Sequence, residues 1–223
     1  MRHEIHNKPD FASLHVFMDK GDQIVTEAGA MMSMSTDLDL QTNMKGGVMG
    51  ALKRAVGGES VFMNTYTAEK EEQRLDVAPA SPGDILHLPM NDTTVMVQRG
   101  SYLCSTPDIT IDTKFQGLKK TFLSGEGAFL LQAIGTGDLW LSSYGAIHQI
   151  DIDGEYIVDT GHIVAFDNTV EFDIKKVGGL KSLLFSGEGL VCEFSGRGRV
   201  WIQTRNSGAL AAFLSPFRPV KSN

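Results

Sequence analysis

The sequence has 223 residues, 42% of them hydrophobic and 21% charged, which is long enough to bury one sizeable core. Its formal net charge of -7 opposes non-specific binding to nucleic acids and anionic lipids. Two cysteines are too few for a disulfide framework, which fits a reducing compartment. The first ten residues are polar and no run of about 18 apolar residues occurs, so we predict a cytoplasmic protein without a membrane-spanning helix.

Three consecutive parts of the chain follow one pattern. In each part a β-rich run ends at a glycine, and an alternating strand begins nine residues later, without a gap. The glycines are Gly29, Gly100 and Gly161, and the alternating strands begin at Leu38, Ile109 and Val170. This identity of spacing predicts three tandem repeats, approximately 11–78, 79–142 and 143–206, followed by a closing segment 207–223. We therefore expect Gly100 and Gly161 to occupy equivalent backbone positions at the ends of equivalent strands.

Each repeat reads as about six short strands separated by turn residues such as Asp19–Asp22, Asn91–Asp92 and Asp151–Gly154. The recurring glycines indicate backbone positions that need positive φ or close approach, rather than a phosphate cradle. The sequence thus predicts an all-β protein, a single unit over 1–223, with the repeats packed as a sandwich or prism of pseudo-threefold symmetry. Residues 208–214 match the strand that would begin a fourth repeat, and we expect them to pair near Leu14–Phe17.

The first repeat contains an unusual loop after Gly47. Four apolar residues of this loop share one face at helical spacing, with Lys53 and Arg54 on another face. The four are Val48, Met49, Leu52 and Val56. Two interpretations stay open: the face is a lid over the β core, or it docks on a protein partner or a membrane surface.

Parts of the first repeat resemble a known group of proteins. The residues that carry the resemblance are the Gly-Gly loop with Lys53-Arg54, the segment Gly58–Asn64 and the segment Ala80–Asp84. They are similar to a bacterial and archaeal family related to the mitochondrial protein named for altered inheritance of mitochondria. The resemblance implies a fold like that of the tryptophan-RNA-binding attenuation protein, self-association, and a link to membrane or respiratory-complex organisation. It supplies no catalytic residues.

Two sets of titratable residues recur at matched positions. One is a column of carboxylates, Glu59, Glu126 and Glu188. They are candidate ligands for a hard cation, although each glutamate more commonly fixes its own glycine-rich turn. The other set is His87 and His148, which would meet near a pseudo-axis if the symmetry holds, but which more commonly lie half-exposed on strands. Neither set forms a usual zinc motif, and we predict no cofactor.

Trp140 and Trp201 are also equivalent, and their surroundings lack the interleaved basic residues of a base-stacking platform, so core or subunit packing is favoured. No serine or cysteine stands in a nucleophile motif with histidine. We therefore predict a non-enzymatic, self-associating scaffold or binding protein, a trimer or a multiple of three. The alternatives are a β protein that binds a small ligand or a metal, and an RNA-binding protein by fold analogy alone.

Overall fold

The computed structural model describes residues 1–43, 63–112, 130–176 and 190–218. Within these ranges the chain forms fifteen strands and one α-helix, α1 (Ser207–Leu214). The strands in chain order are β1 (Arg2–His6), β2 (Ser13–Met18), β3 (Gln23–Glu27), β4 (Met31–Met34), β5 (Leu38–Asn43), β6 (Met63–Ala68), β7 (Gln73–Val77), β8 (Ile85–Gln98), β9 (Tyr102–Ser105), β10 (Ile109–Asp112), β11 (Leu130–Ser142), β12 (Ile147–Asp159), β13 (Ile163–Asp167), β14 (Val170–Lys176) and β15 (Leu190–Gln203). The predicted β class is confirmed.

The middle and C-terminal thirds of the chain pair their strands in the same way. β11 pairs with β8, β9 and β10, and β15 pairs with β12, β13 and β14, always antiparallel. In both thirds a single turn of 3-10 helix joins the long first strand to the short second strand. Gly100 is the central residue of one turn and Gly161 of the other, so their predicted equivalence is confirmed.

The N-terminal third has the same pairings, but each long strand is divided in two. β2 and β3 together correspond to the first long strand, and β6 and β7 together correspond to the last. β2 pairs with β7, and β3 pairs with β6. β5 pairs with β6, and β4 pairs with β7. The turn at Asp19–Asp22 divides β2 from β3 as predicted, and Gly29 lies in a tight turn with φ +87°.

Two other predicted turns are wrong. Asn91–Asp92 lies inside β8 and Asp151–Gly154 lies inside β12, so the described residues of the later thirds form four strands each rather than six. The chain absorbs the turn residues without leaving the sheet. Asp92 takes φ +49° and Gly154 takes φ +120°, and the register of β11 against β8 shifts at Gly135/Gly137. These are the marks of β-bulges and kinks, which locally bend a strand that continues.

The strands form two sheets. The four-stranded sheet has the order β1-β2-β7-β4. The other has eleven strands, with the path β12-β15-β13-β8-β11-β9-β3-β6-β5 and with β10 and β14 attached to β11 and β15. Two ladders connect the thirds of the chain: β9 pairs with β3, and β13 pairs with β8. β4 and β12 are therefore edge strands of different sheets.

Apolar side chains fill three neighbouring clusters, one centred on each third of the chain. Trp140 lies in the first cluster and Trp201 in the second, each only 1% exposed. The core thus rests on inward-facing residues of the long strands, as period-2 alternation predicts. The arrangement of the thirds about a pseudo-threefold axis stays a prediction.

The connections between the thirds cross at two glycines. Gly83 and Gly145 form a parallel bridge, in which the Asp84 amide donates to the Gly145 carbonyl at 3.1 Å. The Gly83 carbonyl in turn accepts from the Ala12 amide at 2.9 Å. A Cβ atom on Gly83 would lie only 2.0 Å from the carbonyl oxygen of Ser143. Close backbone approach is thus the reason for glycine at this position.

The predicted closing strand at 208–214 is wrong, because these residues belong to α1. The Asn206 side chain accepts hydrogen bonds from the amides of Gly208 and Ala209, at 2.8 and 3.2 Å, and so caps the helix. The segment is rich in alanine and leucine and has no β-branched residue, a composition that favours helix. The expected place beside Leu14–Phe17 is occupied by β1 instead. In the described ranges no helix combines the length and apolar character that a membrane span requires.

Candidate functional site

Two of the predicted sites lie outside the described residues. The proposed lid or docking face is Val48, Met49, Leu52 and Val56, and the candidate metal ligands are Glu59, Glu126 and Glu188. Both sets remain predictions. The described residues instead offer the two edge strands, β4 and β12, and a group of histidines around β1.

β4 is exposed along its whole length, whereas the equivalent strands β9 and β13 are buried. The difference is largest at the third residue after Gly29, Gly100 and Gly161. Met32 is 54% exposed, while Leu103 and Val164 are both 0% exposed. In all three strands a β-bulge interrupts the pairing at this residue. β9 and β13 each have a second neighbouring strand, β3 and β8, whereas among the described residues β4 pairs with β7 alone. This pairing explains the difference in exposure.

β12 shows the complementary difference. Tyr156 and Ile157 are 47% and 61% exposed. Their counterparts in β8, counted back from the glycine, are Val95 and Met96, which are only 4% and 3% exposed. β13 pairs with β8 over these residues, whereas within the described residues β12 pairs with β15 alone. Apolar side chains thus line both free edges.

A buried carboxylate holds β4 against its own sheet. Asp76 of β7 accepts hydrogen bonds from the Ser33 hydroxyl of β4 at 2.5 Å and from Arg74 Nε at 2.6 Å. His15 Nδ1 lies 3.0 Å from the same carboxylate. Burial alone would raise the pKa of Asp76, but the hydrogen bonds from Arg74 and Ser33, with the nearby charges of His15 and Arg74, outweigh it and lower this pKa. β4 is therefore ordered before any partner arrives.

Histidines from β1 contact histidines of other strands with their rings tilted. The ring of His3 lies 4.3 Å from that of His87, and the ring of His6 lies 4.4 Å from that of His15. His87 Nε2 is 2.6 Å from Asp138 Oδ1, and its ring stacks on Trp140. Burial, with a smaller contribution from His87, lowers the pKa of His3. His87 is partly buried beside His3, and His148 is exposed on β12, which agrees with the favoured interpretation of the two as strand histidines.

The two tryptophans are core residues, as predicted. The Trp201 Nε1–H donates to Gln149 at 3.2 Å, while Trp140 Nε1 has no hydrogen-bond partner among the residues that the structure describes. Across the described residues, no three histidine, cysteine, aspartate or glutamate side chains come together as a metal site would require. An apolar pocket lies beside Phe166, Phe172 and Cys192, with few polar groups to orient a ligand.

Glu27 has a perturbed acidity that predicts a pH dependence. Burial at the end of β3 raises its pKa to about 7, above its ordinary value of 4.5. The native state therefore holds a proton in a window where the unfolded chain does not, and stability falls as the pH rises from about 4.5 to 7. We expect Glu27→Gln to remove this decline and, above pH 7, to raise the free energy of unfolding by about 1 kcal/mol, after discounting for solvent screening.

Urea unfolding of the variant and of the parent at a series of pH values measures this effect. Glu155→Gln is the matched control, because Glu155 is exposed on β12. The assignment is wrong if Glu27→Gln and Glu155→Gln follow the same pH profile.

The edge residues were absent from the sites predicted by sequence. The signal was available in part, because Met32, Leu103 and Val164 are all apolar at one repeat position. An apolar residue at a matched position predicts burial in every repeat. Only the three-dimensional pairing shows that Met32 lacks the covering strand.

Comparisons with known proteins agree with this architecture. A family model described as Mitochondrial biogenesis AIM24 matches residues 3–205. An uncharacterized protein from Streptococcus pyogenes serotype M6 is 28% identical over 232 aligned residues, which cover 100% of this chain and 93% of that protein. The crystal structure of a Streptococcus pyogenes protein is similar with a TM-score of 0.82 and 26% identity, over 97% of this chain and 99% of that chain. With a match that extends from the first strand to the end of the last one, the chain belongs to the mitochondrial biogenesis AIM24 family.

Proposed function

We propose that this protein is a non-enzymatic, self-associating scaffold or binding protein. The observation that carries the proposal is the exposure of apolar side chains on two edge strands, along β4 and at Tyr156 and Ile157 of β12, where acidic residues are also exposed. Large β proteins usually protect such edges with lysine, proline or a covering loop, because a free edge pairs readily with another chain. The sequence of β4 is Met-Met-Ser-Met, without a charge. An unprotected apolar edge of this kind is typical of a surface that is covered in the working assembly.

The family resemblance supports an assembly of three chains or a multiple of three and a fold like that of the tryptophan-RNA-binding attenuation protein. The matched spacing of the repeats supports their packing with pseudo-threefold symmetry. The composition of the chain supports a cytoplasmic location. A role in membrane or respiratory-complex organisation rests on the family resemblance, and the description of the matching family names mitochondrial biogenesis. The alternatives need other features. A metal or small ligand would have to use residues outside the described ranges or the apolar pocket, and RNA would need exposed aromatic rings interleaved with basic side chains.

We expect the purified protein to have a mass in solution that is a multiple of 24.3 kDa, with three chains or a multiple of three. Light scattering after size exclusion, at micromolar concentration and moderate salt, measures this mass. A monomer of 24.3 kDa under these conditions contradicts self-association. Metal analysis of the same sample tests the ligand-binding alternative, and a nucleic-acid shift assay at low salt tests the RNA-binding alternative.

A further inference from the structure

The two ladders that connect the thirds of the chain have one register. In the first, Cys104 of β9 faces Thr26 of β3. In the second, Ala165 of β13 faces Val97 of β8. In both ladders, the fourth residue after one glycine faces the third residue before the preceding glycine. The next pair along also agrees, since Ser105 faces Val25 and Phe166 faces Met96.

A third ladder of this type has both of its strands in the molecule, but the two strands are not paired. β4 is the counterpart of β9 and β13, and β12 is the counterpart of β3 and β8. Applied to these strands, the common register places Ser33 opposite Val158 and Met34 opposite Ile157. We propose that β4 of one molecule pairs with β12 of a second copy of this chain, antiparallel and in this register. The inference rests on the proposed self-association and specifies its surface.

The side chains fit a second copy better than another partner. Within the chain, the ladder between β13 and β8 has Val164 and Met96 buried, at 0% and 3% exposed, and the ladder between β9 and β3 has Leu103 buried, at 0%, and Val25 partly buried. Met32 and Ile157, at 54% and 61%, are the unburied counterparts. The chain thus already contains two examples of the surface that would cover each edge. A partner with a different fold would not be expected to have strands that match both edges in this register.

The proposed contact is head-to-tail, because the two edges are different surfaces. A contact between different surfaces leaves one free edge at each end of a growing assembly, until the rotation between copies closes a ring. The ladder between two chains would then have the same strands and register as the ladders that connect the thirds within one chain. The register, rather than the number of copies, is the part that the structure specifies.

Disulfide trapping tests the register directly. We expect a protein with Met34→Cys alone, mixed with a protein with Ile157→Cys alone, to give a covalent dimer under mild oxidation. Opposed cross-strand residues lie close enough for a disulfide after small adjustments. Both native cysteines are buried, so they do not compete. A mixture is used because a bond between separately expressed chains is necessarily intermolecular.

Two controls make the outcome specific. Each single variant oxidised alone should stay largely monomeric on a denaturing gel, because a head-to-tail contact does not bring identical positions together. The pair Met34→Cys and Glu155→Cys, displaced by two residues along β12, should give at least about fivefold less dimer, since diagonal neighbours are roughly 7–8 Å apart. If light scattering finds an oligomer and the in-register mixture yields no more dimer than the displaced mixture, the proposed junction is wrong and self-association stands.

A charge on the edge should dissolve the assembly. We expect Ile157→Lys to shift the mass in solution to that of the single chain and to weaken association by about tenfold or more, because the ladder would bury an unpaired ammonium group. Leu40→Lys is the matched control, since Leu40 is 41% exposed on β5, an edge strand outside the junction. Circular dichroism confirms that both variants are folded. Equal masses for both variants and the parent would overturn the junction.

Discussion

Replacing Gly83 by alanine is expected to lower the free energy of unfolding by about 3 kcal/mol, at the upper end of the costs of overpacking. The added methyl group would lie 2.0 Å from the Ser143 carbonyl oxygen and 2.8 Å from the Gly145 amide nitrogen. Both contacts are to backbone, which cannot rotate away as a side chain does. The bridge between Gly83 and Gly145, which joins the start of the second third of the chain to the start of the last third, would have to open.

Gly100→Ala is the control for this prediction. A methyl group on Gly100 would meet only the Gln98 side-chain oxygen, at 3.1 Å, and that side chain is free to move. We expect a change within about 0.5 kcal/mol. Urea unfolding at one fixed protein concentration compares the two variants, because association would make stability concentration-dependent. Similar stabilities for the two variants would show that the crossing at Gly83 tolerates a side chain.

Asp76→Ala should lower the free energy of unfolding by about 2–3 kcal/mol. Asp76 is 6% exposed and accepts hydrogen bonds from Ser33 and Arg74, with His15 beside it, so its removal leaves these groups without their acceptor. The Arg74 side chain is 47% exposed, so water compensates part of the loss. The matched control is Asp173→Ala, since Asp173 lies exposed on β14 and should change stability by no more than about 0.5 kcal/mol.

The pH dependence of the Asp76 variant provides an independent check. The folded pKa of Asp76 lies below its ordinary value of 3.8, so its stabilisation is complete above that value and disappears as the pH falls through the folded pKa. The difference between parent and Asp76→Ala should therefore shrink in acid, below about pH 4. Thermal melts from pH 2 to 7 measure it. A difference that stays constant down to pH 2 would mean that packing, rather than charge, explains the loss.

Much of the fold was predictable from spacing alone. The nine-residue offset after each glycine located the strands that begin at Leu38, Ile109 and Val170, because glycine turns and period-2 alternation are local signals. Strand continuity was not predictable in the same way. Asn91–Asp92 and Asp151–Gly154 have the composition of turns. Pairing with β15 keeps Asp151–Gly154 in the sheet, and the paired residues on either side of Asn91–Asp92 keep β8 continuous.

The prediction of a strand in the C-terminal segment was wrong for a related reason. Its apolar run at 208–214 suits a strand or a helix, and the decision comes from the cap at Asn206. The exposed edge strands could not be predicted from the sequence for another reason. The exposure of Met32 and Ile157 depends on the absence of a neighbouring strand among the described residues, and no residue of β4 or β12 indicates that absence. Asp76 carried a hint, because it occupies the position of Trp140 and Trp201 in the β-bulge ladders.

The two buried thiols report the local separation of the strands that cover them. Cys104 lies in the ladder between β9 and β3, and Cys192 faces Val158 inside the β12–β15 pair. Burial raises the pKa of the Cys192 thiol to about 12 and that of Cys104 well above its ordinary value, so neither reacts while its strands stay closed. The labelling rate of each thiol thus records how often one connection of the chain separates. If the β12–β15 pair, which carries one free edge, separates first, Cys192 is labelled long before Cys104.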